Sequence, residues 1–235
     1  SNIDGTKTSR IEVTDSTVVN TSFSDGQLMA VFRNSKLTKG NELTSLKPPS
    51  ALTFVKSELS DVDLSRSILN ELVLDTIKSD NSGFDGGTIG KVTITGGDIS
   101  FGFTETQIDH FRVHNINSVG LAIQDAVVKT MVFNDCRSMK SVNLFHARIG
   151  TIDFTNCPLN NFRPRQATID TMRVNQSSIL NSAFEKMKAK TVILENVSLD
   201  GELNFTDAHI GELKTKNVTK QPGLNLITTG SNVTF

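Results

Sequence analysis

The chain has 235 residues, with 24 Lys and Arg against 25 Asp and Glu, and a net charge of −1. This balance gives no surplus of positive charge for a nucleic-acid backbone or an anionic membrane surface, so it argues against a specific nucleic-acid binder. Trp and Tyr are absent and all aromatic residues are 14 Phe, which removes the side chains that most often anchor interfaces. No apolar stretch is long enough to predict a transmembrane helix.

From the beginning of the chain, apolar or small residues recur as pairs with one residue between them, and the pairs repeat every five positions. The first are Ile11/Val13, Ser16/Val18 and Thr21/Phe23, followed by Ala30/Phe32 and Ser35/Leu37. Residues 38–50 depart from this spacing and contain Lys47-Pro48-Pro49. Because proline cannot donate a backbone hydrogen bond to a β-ladder, this segment is predicted to be a protruding loop.

The spacing returns from Leu52 to Ser79 and is interrupted again at residues 80–90, which are rich in Gly, Asp and Asn. Such turn formers predict a second loop. The segment lacks the ordered series of oxygen ligands of a calcium loop, so no metal site is predicted there. From Val92 to Ser138 the spacing resumes, with one residue deleted before Phe101 and one residue added before Val142.

The most regular stretch has twelve consecutive pairs, from Val142/Leu144 to Val197/Leu199. Of its 24 paired positions, 21 are hydrophobic, whereas only four of the 34 intervening residues are. Neither an α-helix nor a β-strand has a five-residue period. Five residues with two inward are instead typical of one side of a four-sided coil, and stacking such coils buries a continuous core.

After Leu199 one extra residue shifts the frame, and the pairs continue to Leu213/Thr215. The final residues alternate apolar and β-prone side chains without a capping helix. An uncapped solenoid end exposes an unpaired strand edge, which folded proteins normally cover. We therefore expect that the natural chain continues as part of a larger protein, or that the ends pair with something, including end-to-end self-association.

Several pairs place a small residue two positions before a larger one, as in A-R-I, C-P-L, A-T-I, S-S-I and S-A-F. This rule resembles the pentapeptide-repeat family, although Val142, Ile152 and Phe162 occupy positions where that family prefers Ala. The resemblance implies an all-β, right-handed quadrilateral parallel β-helix of about nine coils. The prediction is one domain over residues 1–235, with loop interruptions near 38–50 and 80–90.

Few residues point to chemistry. Cys136 and Cys157 both fall on the small inward position, where a thiol behaves as a compact apolar group, although a disulfide one coil apart is conceivable. His110 and His114 lie on outward positions without a third ligand. There is no Gly-x-Ser-x-Gly, phosphate-binding glycine loop or His-Glu-x-x-His motif. We therefore predict no enzyme activity for this region, no cofactor and no metal.

The main surface feature is a basic cluster, and residues 20 apart share a side of the coil. Lys188 is therefore predicted to stack over Thr168 and Arg148 in a cationic stripe. The candidate binding residues are Arg148, Arg163, Arg165, Arg173, Lys186, Lys188 and Lys190. The alternative is a solvated surface that only discourages edge-to-edge association. Asp153 is expected to form an ion pair with Arg173 one coil away.

This divergent five-residue repeat is more similar to the β-helix modules of type III-secreted bacterial effectors than to the regular gyrase-protecting members of the family. The resemblance implies a non-catalytic recognition module for a host or bacterial protein partner, secreted into the host cell as a virulence factor or otherwise cytoplasmic. A second hypothesis is a DNA mimic that binds a topoisomerase, against which the net charge of −1 argues. A third is a carbohydrate-active β-helix.

Overall fold

The computed structural model of the protein describes residues 2–4, 9–38 and 40–234, and side chains within 10–38 and 40–234. In this part of the chain all regular structure is β, and 24 strands form a single sheet whose pairings are parallel. In chain order the strands are β1 (Asn2–Asp4), β2 (Ser9–Thr14), β3 (Thr17–Val18), β4 (Ser22–Ser24), β5 (Leu28–Arg33), β6 (Lys36–Leu37), β7 (Asn41–Thr44), β8 (Ala51–Val55), β9 (Glu58–Ser60), β10 (Val62–Asp63), β11 (Ser67–Asp75), β12 (Lys78–Asp80), β13 (Ser82–Thr95), β14 (Asp98–His114), β15 (Ser118–Ala122), β16 (Val127–Asn134), β17 (Met139–Asn143), β18 (Arg148–Thr155), β19 (Pro158–Asn160), β20 (Phe162–Arg163), β21 (Thr168–Ala183), β22 (Lys188–Asn204), β23 (His209–Lys220) and β24 (Asn225–Ile227).

The strands wind into a β-solenoid in which each turn pairs with the turns before and after it. Thr168 lies opposite Arg148 in the preceding turn and Lys188 in the following one, a step of 20 residues. The solenoid has about 11 turns, which at the strand spacing gives a rod of roughly 50 Å. The prediction of about nine coils was too low, because both segments predicted as loops are part of the coil.

Each turn has four sides, and the residue at the centre of a side faces outward. We number the sides by these central residues over three consecutive turns. Side 1 carries Asn143, Arg163 and Ala183; side 2 carries Arg148, Thr168 and Lys188; side 3 carries Asp153, Arg173 and Ile193; side 4 carries Pro158, Ser178 and Ser198.

The predicted inward pairs form the core. All 24 paired positions between Val142 and Leu199 are buried, and none of the 34 residues between them is. Phenylalanines stack between turns along the axis: ring centroids are 4.8 Å apart for Phe133 and Phe154, and 4.4 Å apart for Phe184 and Phe205. A core of this kind is built from contacts between neighbouring turns.

The prediction that residues 38–50 and 80–90 form loops is largely wrong. Residues 41–44 form β7 and residues 82–95 belong to β13, so the ladder continues through both segments. Asn41 takes the small inward position, where its side chain accepts a hydrogen bond from the Thr21 amide (3.2 Å). Gly87 lies opposite the inward Ser67 and so takes the same kind of position, and it must be glycine because a Cβ there would lie 2.3 Å from the Ser67 carbonyl oxygen. The departure around Pro48 is limited to two added residues, since Arg33 lies opposite Val55.

The predicted frame shifts agree with the register. Ser82 lies opposite Phe101, a step one residue short, and β-bulges occur between Val119 and Gly120 and between Leu180 and Ser182. These bulges accommodate the residues added before Val142 and after Leu199. The ladder therefore absorbs single insertions without losing the alternation of inward and outward side chains.

The small inward position also has a hydrogen-bonding role, which the pattern of a small residue two positions before a larger one does not predict. Where it is Ser, the hydroxyl accepts a hydrogen bond from the amide one turn earlier. Ser182 Oγ accepts from the Phe162 amide (3.2 Å) and donates to the Leu180 carbonyl (2.9 Å), and Ser177 Oγ accepts from the Cys157 amide (3.0 Å). The hydroxyl thus satisfies a backbone group that would otherwise be buried without a partner.

We expect Ser182→Ala to lower the free energy of unfolding by about 1–3 kcal/mol, because it leaves the buried Phe162 amide unsatisfied. Equilibrium urea unfolding measures the change. Ser178→Ala is the matched control, since Ser178 points outward on side 4, between the inward residues Ser177 and Ile179. Equal destabilisation by the two substitutions would contradict this role for the hydroxyl.

The corners are built by residues in the left-handed backbone conformation. Non-glycine residues with positive φ recur at corners, and most of them are Asn or Asp, which tolerate this conformation best. Side chains at one corner also bond along the axis, as in Asn156 to Asp135 (2.8 Å) and Asn217 to Asn196 (2.9 Å). The corners therefore fix which residues stack on each side.

Candidate functional site

The structure divides the seven predicted binding residues among three sides. Arg148 and Lys188 lie at the centre of side 2. Lys186 has positive φ at the corner that enters side 2, where Arg165 also lies, and Lys190 follows Lys188 at the corner that leaves it. Arg163 lies on side 1 and Arg173 on side 3. The predicted cluster is therefore not one continuous surface.

Three of the seven residues are neutralised by an acidic residue in the neighbouring turn. Arg173 pairs with Asp153 (3.2 Å), as predicted, and Lys190 pairs with Asp170 (2.6 Å). Arg165 pairs with Glu185. Exposed pairs of this kind add little to stability, but they cancel the charge that a partner would meet.

An ion pair between neighbouring turns also occurs in the turn that precedes Arg148. Lys129 Nζ lies 2.6 Å from Asp109 Oδ1. The hydrogen bond from Lys129 holds the pKa of the Asp109 carboxyl below its ordinary value. Lys129 therefore contributes to an ion pair rather than to the positive surface of side 2.

Three cations remain together, and we call Arg148, Lys186 and Lys188 the cationic patch. All three are exposed, and none forms an ion pair with another described residue. Arg148 and Lys188 are aligned on either side of Thr168, two strand spacings or about 10 Å apart along the axis. Arg163 bonds to Asn161 (2.7 Å) on side 1 and is outside the patch.

His146, which was not among the predicted binding residues, borders the cationic patch. His146 Nδ1 lies 3.3 Å from Asp125 Oδ1, its Nε2 bonds to Gln166, and its ring stacks on Phe145 with centroids 3.9 Å apart. A shallow groove of about 450 Å³ runs here between His146, Arg148, Gln166 and Thr168. The 20- to 21-residue spacing of Asp125, His146 and Gln166 was the signal that could have identified this column.

A larger groove of about 860 Å³ lies on side 4. Its floor is made by small outward residues such as Pro158, Ser178 and Ser198, and corner amides such as Asn156 and Gln176 form one wall. Cys136 and Cys157 lie beneath it, buried in the small inward position as predicted. The groove is polar and mainly uncharged, so it differs in character from side 2.

Among the described residues, no three His, Cys, Asp or Glu side chains come together as metal ligands. His110 Nδ1 lies 2.8 Å from Thr130 Oγ1, and His114 Nε2 lies 3.0 Å from Thr95 Oγ1, so each ring bonds to a hydroxyl in the neighbouring turn. Over the part of the chain that the structure covers, no helix has the length and apolarity to cross a membrane.

The turns of four five-residue sides, the parallel ladder and the two inward residues per side define the class of the protein. It is an all-β, quadrilateral parallel β-solenoid, which is the fold predicted from the five-residue repeat. Among solved structures, the chain is similar to HetL, a pentapeptide repeat protein involved in heterocyst differentiation regulation from the cyanobacterium Nostoc. The identity is 13%, the match covers 98% of this chain and 88% of HetL, and the TM-score is 0.33. No protein-family model and no curated protein sequence matches the chain.

Proposed function

We propose that this chain is a non-catalytic recognition module that binds an acidic segment of a protein partner on side 2. The observation that carries the proposal is the cationic patch, in which Arg148, Lys186 and Lys188 lie close to one another and form no ion pair with another described residue. Three of the other four cations in the basic cluster, Arg165, Arg173 and Lys190, pair with acids in the neighbouring turn. Side 2 is therefore where the carboxylates of a partner would have the most favourable electrostatic interaction.

The geometry of the patch favours an extended or helical acidic segment that runs along the rod axis. Arg148 and Lys188 lie in one column about 10 Å apart, so carboxylates at that separation could contact both. A nucleic acid is a poorer fit, because three cations neutralise few phosphates and no exposed Tyr or Trp offers a stacking surface.

The broader role follows the resemblance of the sequence. We propose that the module is part of a bacterial protein secreted into a host cell and that it supplies partner recognition there. The support for this role is the resemblance of the divergent five-residue repeat to the β-helix modules of such proteins. The alternative of a topoisomerase-binding DNA mimic stays a prediction, and a cationic side 2 is the opposite of the acidic surface that such mimicry needs.

The test is binding of a fluorescently labelled poly-glutamate peptide, measured by anisotropy at low ionic strength. We expect Arg148→Glu combined with Lys188→Glu to weaken binding about tenfold or more, because attraction becomes repulsion at the centre of side 2. The control is Lys56→Glu combined with Lys140→Glu, which changes the net charge equally at exposed positions outside side 2.

Circular dichroism should show that both double variants keep the β-structure of the parent chain. Retained affinity in the control together with loss in the side 2 variant supports the proposal. An equal loss in the two variants would mean that the peptide responds only to net charge, and unchanged affinity in both would remove side 2 as the binding surface.

A further inference from the structure

The two cysteines form a contact that the recognition role does not use. Cys136 and Cys157 occupy the small inward position in consecutive turns of side 4, and they are 2% and 1% exposed. The Cys136 amide donates to Cys157 Sγ (3.4 Å), and the Cys157 thiol donates to the Thr155 carbonyl (3.3 Å). They are the two cysteines of the chain, and the Cys136 amide is in contact with the Cys157 sulfur.

The surroundings make the two sulfurs unequal. Cys157 Sγ accepts a hydrogen bond from the Cys136 amide, and the neighbouring Cys136 thiol together with this amide lowers the pKa of Cys157. The hydrogen bond to Cys157 and burial raise the pKa of Cys136. A thiolate is the reactive form of cysteine. Because its sulfur accepts the amide hydrogen bond, Cys157 is the better nucleophile of the pair.

Access to the pair is limited to small molecules. Both cysteines line the bottom of the side 4 groove, where the outward residues Pro158 and Ser178 leave the floor low. Their small exposed fractions exclude bulky disulfide reagents in the folded state. An oxidant of about the size of water, such as hydrogen peroxide, could reach the sulfur.

We propose that Cys136 and Cys157 are a peroxide-oxidisable pair that forms a disulfide between consecutive turns of the solenoid. The Cys157 thiolate attacks one peroxide oxygen, the O–O bond breaks, and the products are a sulfenic acid on Cys157 and hydroxide. Cys136 then attacks the Cys157 sulfur, and the hydroxyl leaves as water with the proton of the Cys136 thiol. Overall, two thiols lose two hydrogens and one peroxide becomes two waters.

The backbone can accommodate the bond. Strands in consecutive turns lie about 4.8 Å apart, which is within the roughly 4.4–6.8 Å that separates the Cα atoms of disulfide-bonded cysteines. The small inward column contains Ser177 in the next turn, so Cys157 has no bulky neighbour below it. The cross-link would close a loop of about 20 residues and join two turns covalently.

The experiment treats the reduced, folded chain with hydrogen peroxide, quenches with catalase, and then alkylates free thiols under denaturing conditions before peptide mass mapping. Trypsin cleaves after Arg137, so the two cysteines fall in different peptides. Met29, which is 42% exposed, reports the peroxide dose through its sulfoxide. We expect a Cys136–Cys157 cross-linked peptide and loss of both alkylated thiols in the parent chain.

Two variants separate the roles of the sulfurs. Cys136→Ser should accumulate sulfenic acid on Cys157, detected with dimedone after unfolding, because no second thiol resolves it. Cys157→Ser should leave Cys136 reduced over the same exposure. The proposal is overturned if both thiols remain free after Met29 is fully oxidised, if Cys157→Ser is oxidised as fast as the parent, or if the disulfides formed join different molecules.

Discussion

Phe154→Ala is expected to lower the free energy of unfolding by about 3–5 kcal/mol, because it removes a large side chain from a core that cannot collapse around the cavity. Phe154 is 1% exposed and stacks on Phe133 in the preceding turn at 4.8 Å. It also contacts the edge of Phe162, with ring centroids 5.2 Å apart. Equilibrium unfolding in urea, followed by circular dichroism, measures the loss.

Phe145→Ala is the matched control, since it removes the same atoms from a phenylalanine outside the inward lattice. Phe145 is only partly buried and stacks on the exposed His146. We expect it to change stability by about 1 kcal/mol or less. Similar losses for the two variants would mean that the five-residue lattice does not define the core.

Gly97→Ala is the second substitution with a large expected effect. Gly97 has a φ of +75°, and a Cβ there would lie 2.0 Å from the Ile77 carbonyl oxygen in the preceding turn. The variant combines an unfavourable backbone conformation with a clash against a fixed strand. We expect a loss of about 2–4 kcal/mol, seen as a lower urea midpoint.

Gly102→Ala provides the comparison. Gly102 has no positive φ, and a Cβ there would have no heavy atom within 4 Å. We expect little change or a small gain in stability, since alanine reduces the freedom of the unfolded chain. If Gly97→Ala were tolerated as well as Gly102→Ala, the conclusion that consecutive turns leave no space for a Cβ at Gly97 would be wrong.

The regular part of the fold could be predicted from the sequence because the lattice repeats with one physical requirement, two inward apolar residues for each side. This predicted the buried positions between Val142 and Leu199 and the frame shifts near Phe101, Val142 and Leu199. Residues 38–50 and 80–90 were misassigned because their small inward residues include Asn41 and Gly87. An asparagine that bonds to the ladder and a glycine that avoids a carbonyl do not resemble a hydrophobic pair.

The candidate site was predicted less completely. The column of Arg148, Thr168 and Lys188 follows from the 20-residue repeat alone and agrees with the register. The same repeat also places Glu185 beside Arg165 and Asp170 beside Lys190, and these ion pairs reduce the seven residues to a smaller patch. Which cations share a side depends on the corner positions, and these are set by backbone conformation rather than by hydrophobicity.

Recognition through the cationic patch is tested most directly by photo-cross-linking from the centre of side 2. A benzophenone amino acid replaces Thr168, between Arg148 and Lys188, and in a second variant replaces Ser178 on side 4. We expect the poly-glutamate peptide to cross-link to the side 2 variant and excess unlabelled peptide to suppress the product. Equal cross-linking from both sides, or cross-linking only from side 4, would contradict recognition through the cationic patch.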